Sequence, residues 1–235
     1  RNRLHVYSKD DISLIQKHGE MKCVALVQNA LEKDCFFLQR QKIISLNNAE
    51  SQLPTYEFLL RLLEDDGSVT LPGVFIPAAE RYNLMQTIDR WVIEKAIGLL
   101  KKEIESGRPA IYFINLSGNS LSDDSIPSFI RDCIKRNQVP PELLCFEITE
   151  TAAISNLNSA LNLINIIRDE GCAFALDDFG AGLSSFSYLK NLNVDYLKID
   201  GSFIVGILKD LMDVAIVESI MFKMMKQYNY CKILA

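Results

Sequence analysis

From Ala110 onward, short apolar runs of strand length alternate with stretches whose apolar residues recur at helical spacing. Ala110 to Ile114 reads as a buried strand ending in Asn115, and Ile126, Phe129, Ile130, Cys133 and Ile134 mark a helix. Leu143 to Phe146 is a strand ending in Glu147; Leu157, Leu161, Ile164 and Ile167 mark the next helix, closed by Gly171. Cys172 to Leu176 is a strand that finishes on Asp177, and Tyr196-Leu197 leads to Lys198. Val214, Val217, Met221 and Met224 suggest another helix, and Cys231 to Ala235 begins one more strand. Strands and helices in single file indicate a parallel sheet, and this many units favour a barrel.

The first half is less regular. Met21 to Lys33 has helical spacing, and Cys35 to Ile44 is strand-like, with Phe36, Leu38 and Arg40 on one face. Leu53 to Leu63 carries Glu57 and Arg61 inside an apolar run, and Asp65-Asp66-Gly67-Ser68 is a turn signal. Pro77 reads as a helix start with Glu80 in its first turn. Trp91, Ile93, Ala96, Ile97, Leu100 and Ile104 then continue a helix until Gly107. Arg1 to Tyr7 alternates like the last strand of something else, so residues 1–20 are expected to be a linker or the tail of a preceding domain.

Composition narrows the class. Of 235 residues, 49% are hydrophobic and 23% charged, which suits a globular domain with a real core. A net charge of −5 argues against a duplex-binding surface, and no apolar stretch reaches the roughly 18 residues that a membrane span needs. The 6 cysteines are scattered, which disfavours a zinc site or a disulfide framework and suits a reducing cytoplasm. Cys145 and Cys172 read as small buried hydrophobes.

In a parallel barrel the C-terminal strand ends share one rim, where active sites are built. Here those ends carry Asn115, Glu147, Asp177 with Asp178, and Lys198, and Glu57 joins them if its strand aims it at the same mouth. Oxygen ligands without histidine or thiolate suit Mg²⁺, Mn²⁺ or Ca²⁺. Adjacent acids can serve two ions, an arrangement fit for in-line hydrolysis of a phosphodiester. Lys198 would stabilise phosphate charge or hold the attacking water, and Arg61 would clamp a phosphate oxygen. Each residue also has a structural reading: Glu57 with Arg61 as an ion pair, Asn115 as a turn residue, Glu147 and Glu150 as helix capping, Asp177-Asp178 as a turn, and Lys198 as a snorkelling side chain. Successive units presenting a polar group at one structural position favour the site.

At these residues the sequence resembles the EAL domain family, phosphodiesterases that linearise cyclic di-GMP. The resemblance rests on Glu57-Phe58-Leu59-Leu60-Arg61, Phe75-Ile76-Pro77-Ala78-Ala79-Glu80, Ile114-Asn115-Leu116-Ser117, Phe146-Glu147-Ile148-Thr149-Glu150, Asp177-Asp178-Phe179-Gly180-Ala181-Gly182 and Leu197-Lys198-Ile199-Asp200, in the family's order. It implies an α/β fold, a modified TIM (β/α)8 barrel over residues 21–235, and two Mg²⁺ or Mn²⁺ ions hydrolysing cyclic di-GMP to linear pGpG. It further implies that Glu57, Asn115, Glu147, Asp177 and Asp178 ligate metal, with Lys198, Glu57 and Asp177 in catalysis. Gln41, Leu60, Arg61, Pro77 and Asp200 would contact the dinucleotide, and Glu150, Phe179, Gly180, Ser184 and Ser185 would couple a loop to a homodimer interface. Upstream, the opening residues resemble the end of a GGDEF domain, which implies a longer GGDEF–EAL parent, cytoplasmic or the cytoplasmic part of a membrane-attached protein. Gln41-Lys42 replaces the family's Gln-Pro, and Lys232 to Ala235 stops before the family's next glutamate and last strand and helix. A catalytically silent cyclic di-GMP receptor is the alternative reading, and a pure protein-interaction module a more distant one.

Overall fold

The strands alternate sides with a period of two, and their two faces separate into two apolar layers. The computed structural model describes residues 12–44, 53–180, 188–207, 210, 212–219 and 232–234. The expectations for Arg1 to Tyr7, Ser184, Ser185, Met221, Met224, Cys231 and Ala235 lie outside the described residues. In chain order the elements are α1 (Ile12–Glu32), β1 (Phe36–Ile43), β2 (Thr55–Leu63), β3 (Val69–Thr70), α2 (Pro72–Arg81), α3 (Met85–Glu105), β4 (Ile111–Asn115), α4 (Ile126–Asn137), β5 (Leu144–Thr149), α5 (Glu150–Ser155), α6 (Leu157–Asp169), β6 (Ala173–Phe179), β7 (Tyr196–Ile199), α7 (Gly201–Gly206), α8 (212–219) and β8 (Lys232–Leu234). The sheet runs β1-β2-β4-β5-β6-β7-β8, with β3 paired to β2.

From β2 to β8 the main sheet is parallel, as the alternation of strands and helices requires. The β1–β2 pair is antiparallel, with Gln41 opposite Glu57. Only residues 44–54 separate these two strands, fewer than the dozen or so that a parallel crossover needs. This departure from single-file parallel order is what modifies the barrel.

The outer layer lies between sheet and helices. Phe58 and Leu62 of β2, Tyr112 and Ile114 of β4, Leu144, Phe146 and Ile148 of β5, and Phe174 and Leu176 of β6 pack there against the buried stripes of α3, α4 and α6. The inner layer is a separate cluster of Phe113, Cys145 and Ala175, with Ile43, Ile111, Ala173 and Tyr196 against it. Phe113 meets Tyr196 edge-on, with ring centroids 4.9 Å apart. Truncating a fully buried ring of this kind costs about 3–5 kcal/mol, from lost transfer energy and the cavity left behind. Phe113→Ala is therefore expected to lower unfolding stability by about that amount in a urea titration.

Two local expectations differ. α1 begins at Ile12, ahead of Met21, so the helix runs through the position where the linker was expected to end. The helix expected to start at Pro77 starts at Pro72, which occupies its first turn; Pro77 lies inside it, and Glu80 falls in the last turn. Pro72 is the better starter because the first-turn N–H has no intrahelical partner to lose. The other boundaries agree with the hydrophobic periods to within a few residues.

Candidate metal centre

Above the inner layer stands a second layer, and it is charged. On β4, β5, β6 and β7 the residues two positions beyond Phe113, Cys145, Ala175 and Tyr196 are Asn115, Glu147, Asp177 and Lys198. Period-two alternation places each pair on one face, so the polar set caps the apolar plug. On β2, Glu57 is directly opposite Phe113 in register, near the start of its strand. Its inward side chain nevertheless reaches the same group, because Asn115 Nδ2 donates to Glu57 Oε1 at 3.0 Å.

Lys198 is the hub. Its Nζ donates to Glu57 Oε2 at 3.1 Å and Asp177 Oδ2 at 2.9 Å, and it stands 3.0 Å from Glu147 Oε2. Its side chain is only 15% exposed, which rules out a snorkelling role. Burial alone would depress its ammonium, but the charges of Glu147, Asp177 and Glu57 outweigh that and hold it above the usual lysine range. Glu147 is 0% exposed, and neither carboxylate oxygen has a hydrogen bond of acceptable geometry. Burial pushes its carboxyl well above the usual range, and Lys198 only partly opposes this. A fully buried carboxylate without hydrogen bonds is expensive unless a cation meets it.

Three acids share one ammonium, so the group carries surplus negative charge. Among the described residues, Glu57, Glu147 and Asp177 each offer an oxygen within 4.8 Å of the others, close enough to hold one metal ion. The donor set is all oxygen, which suits a hard divalent cation. Glu147 is fully buried with one shared ammonium as its only ion-pair partner among the described residues, and its oxygens supply what such an ion needs, so the residues fit the metal.

β6 carries a second acid, Asp178, next to Asp177. Leu176 and Phe179 both pack in the outer layer although strict alternation would send them to opposite faces. A register irregularity between them accommodates the extra residue, and Asp178 takes φ 53°, a left-handed conformation that aspartate tolerates better than most residues. The bulge breaks the strict alternation that would send Asp178 to the face opposite Asp177. Asp178 is exposed, and its carboxyl is held above the ordinary range by partial desolvation first and then by the charges of Asp177 and Asp200. Its backbone N–H donates to Asp177 Oδ1 at 2.9 Å, leaving Asp177 Oδ2 for Lys198.

The remaining expected residues divide. Gln41 faces Glu57 across the β1–β2 pair. Arg61 is on the Glu57 face of β2, its Nε donating to Gln39 Oε1 at 2.9 Å and its Nη1 to the Leu60 carbonyl at 2.8 Å, so the Glu57–Arg61 ion pair is not formed. Leu60 is on the opposite face, packed against the outer core with Phe58 and Leu62; strand alternation removes its side chain from the mouth. Pro77 is exposed within α2 and outside the hydrogen-bonded group. Asp200 caps α7 by accepting from Ser202 N at 2.8 Å, and the Ser202 hydroxyl, followed by that backbone N–H, holds its carboxyl below the ordinary range.

Glu150 is buried and accepts from Gly180 N at 2.9 Å and from the Tyr188 hydroxyl. It thus ties together the residues flanking 181–187. The cap of α5 is Thr149, whose Oγ1 accepts from Ala152 N at 3.3 Å, so neither Glu147 nor Glu150 serves as a cap. The buried Asp89 of α3 is a residue that sequence reasoning missed. Its signal was there: an acid within the apolar stripe of Met85, Ile88 and Val92.

Known proteins resemble this chain in sequence and in fold. The family described as EAL domain matches residues 25–232. The chain is 38% identical over 219 residues to "Cyclic di-GMP phosphodiesterase PdeB" of Shewanella oneidensis, covering 93% of this chain and 26% of that protein. It is 36% identical over 195 residues to "Cyclic di-GMP phosphodiesterase PdeF" of Escherichia coli, covering 83% of this chain and 25% of that protein. The chain thus spans about a quarter of the length of these curated relatives. Among solved structures, the FimX EAL domain from Pseudomonas aeruginosa bound to c-di-GMP matches with a TM-score of 0.81 and 34% identity, covering 90% of this chain and 84% of that one.

Proposed function

Because the chain belongs to the EAL domain family, we propose that it hydrolyses one phosphodiester bond of cyclic di-GMP, giving linear pGpG with two Mg²⁺ or Mn²⁺ ions. The observation that carries this reading is the trio of Glu57, Glu147 and Asp177, gathered within 4.8 Å and served by a single lysine. Glu57, Glu147, Asp177 and Asn115 would hold one ion, and Asp177 with Asp178 the other. Bound there, divalent cations would neutralise phosphate charge and lower the pKa of water to near neutrality. One water is consumed, one P–O bond opens, and the freed sugar hydroxyl takes the proton.

Lys198 is the chain's own cation at this point. It orients the attacking water and offsets charge that builds on the phosphate. Arg61 lies four strand residues from Glu57, about 13 Å along β2 at roughly 3.3 Å per residue. An extended anionic ligand such as a dinucleotide spans that interval, its phosphate or base edge meeting the guanidinium fork. Gln41 borders the same path, and the carbonyl of Leu60 helps hold Arg61. Asp200 borders the charged end, since its carboxylate raises that of Asp178.

Glu150 would transmit the state of the loop over Phe179, Gly180, Ser184 and Ser185 to a homodimer contact, with its bonds to Gly180 and Tyr188 as the support for that role. Residues 21–235 would act as the phosphodiesterase unit and residues 1–20 as the connection from a GGDEF-like domain, in a cytoplasmic setting. Among the described residues no helix is long and apolar enough to cross a membrane.

The test is chromatographic detection of pGpG from cyclic di-GMP with Mg²⁺ or Mn²⁺, and its disappearance in chelator. Glu57→Ala is expected to remove Mn²⁺ binding and turnover together, the latter by about 10³-fold. Unchanged turnover in that variant would refute the ligand assignment. Tight binding of cyclic di-GMP in chelator, with no hydrolysis when metal is restored, would replace the enzyme by a receptor.

A further inference from the structure

α3 carries an acid where its packing calls for an apolar residue. Asp89 is 3% exposed, between Ile88 and Val92 on the stripe that faces the sheet. Its Oδ2 accepts from Ser117 N at 2.9 Å, from Ser117 Oγ at 2.6 Å and from Ser120 Oγ at 2.6 Å. All three donors are neutral, and all belong to the segment that leaves β4 immediately after Asn115. Burial pushes the Asp89 carboxyl above its ordinary range, and these donors pull it back only in part. A burden of that kind on a helix that would otherwise be apolar calls for a role beyond holding the helix in place.

The neighbouring backbone suggests the role. Leu116 N donates to the Glu147 carbonyl at 2.8 Å, continuing the β4–β5 ladder one step past Asn115. The chain beyond Asn115 is therefore held on one side by the strand that bears Glu147 and on the other by Asp89. Between those two holds, the Asn115 amide donates to Glu57. A side chain that must present its oxygen to a metal while its nitrogen contacts a carboxylate has little angular tolerance, and support from outside the site fixes it.

We infer that Asp89 is a positioning residue, which sets the Asn115 amide through Ser117 so that its nitrogen meets Glu57 and its oxygen faces the metal position. The metal part rests on the function proposed above; the orientation of the amide does not.

The test uses the whole chain in ¹⁵N-labelled form, following the Asn115 side-chain amide resonances, identified by their loss in Asn115→Asp. In Asp89→Ala these resonances are expected to move toward free-amide positions, and Mn²⁺ affinity to fall about tenfold, while circular dichroism reports a folded protein. Asp89→Asn keeps an oxygen acceptor for Ser117 and is expected to stay within about threefold of the parent affinity. Ser120→Ala, which leaves both Ser117 bonds intact, is expected to leave the Asn115 signals in place. A folded Asp89→Ala with unchanged Asn115 resonances would overturn the inference. If Asp89→Ala fails to fold, Ser117→Ala carries the comparison: Asn115 signals that respond equally to Ser117→Ala and Ser120→Ala would overturn it. A parent protein that binds no Mn²⁺ removes the metal reading, and the amide resonances still decide for or against Asp89.

Discussion

Glu147→Gln is expected to abolish metal-dependent hydrolysis, by about 10³-fold or more, and at the same time to raise the melting temperature measured in chelator. The two effects have one origin. Glu147 is fully buried, its oxygens lack hydrogen bonds, and it competes with Glu57 and Asp177 for one ammonium. Without a metal the third carboxylate is a net burden on the fold. Glutamine keeps the shape, removes the charge and offers an N–H to the remaining acids. A relief of about 1 kcal/mol would raise the melting temperature by about 2–4 °C for a chain of this size.

The pH dependence gives the sign a second check. The folded-state pKa of Glu147 is raised, so the folded protein binds the proton more tightly than the unfolded chain does. Stability from this group is full below the unfolded value of roughly 4.3 and is lost as pH rises above it. In chelator the variant's advantage should therefore be absent at pH 3 to 4 and grow as pH rises toward 7. A Glu147→Gln protein less stable than its parent at pH 7 in chelator would contradict this account.

Lys198→Met reverses the stability effect. It too should reduce turnover by about 10²–10⁴-fold, since it removes the group proposed to orient water and offset phosphate charge. Here, however, three carboxylates lose their shared partner. Stranding buried charge in this way costs about 3–5 kcal/mol, so the variant should melt well below the parent in chelator. Mn²⁺ brings the missing positive charge back, so it should raise the variant's melting temperature by more than it raises the parent's. Paired melts with and without Mn²⁺ measure this directly. Equal responses in the two proteins would mean that Lys198 does not balance the acids.

Much of this arrangement is legible in the sequence. Asn115, Glu147, Asp177 and Lys198 each follow an apolar strand run, and the period of two that hides Phe113, Cys145, Ala175 and Tyr196 also lifts the next inward residue to the rim. Glu57 was harder, because it stands near the beginning of β2 and reaches the group through the stagger of neighbouring strands, which one strand cannot reveal. Asp178 was chosen for its chemistry, while simple alternation would have turned it away from Asp177; only the bulge reconciles the two. Leu60 shows the opposite case, where a motif suggested contact and alternation places the side chain behind the strand. The antiparallel β1 followed from the short connection to β2, but the regular second half of the chain obscured it. Two prolines lie in this stretch, and Pro77 offered a start with Glu80 in its first turn, whereas the helix begins at Pro72.

The two-layered interior also bears on how such a protein changes over generations. Phe113, Cys145, Ala175 and Tyr196 pack one step below the residues proposed to do the chemistry. Substitutions in the upper step therefore differ in sign for stability: neutralising Glu147 is expected to relax the fold, and removing Lys198 to weaken it. A lineage freed from selection for turnover would drift toward a firmer, inactive barrel that keeps its mouth. The proposed activity would thus keep Glu147 in place against the gradient of stability.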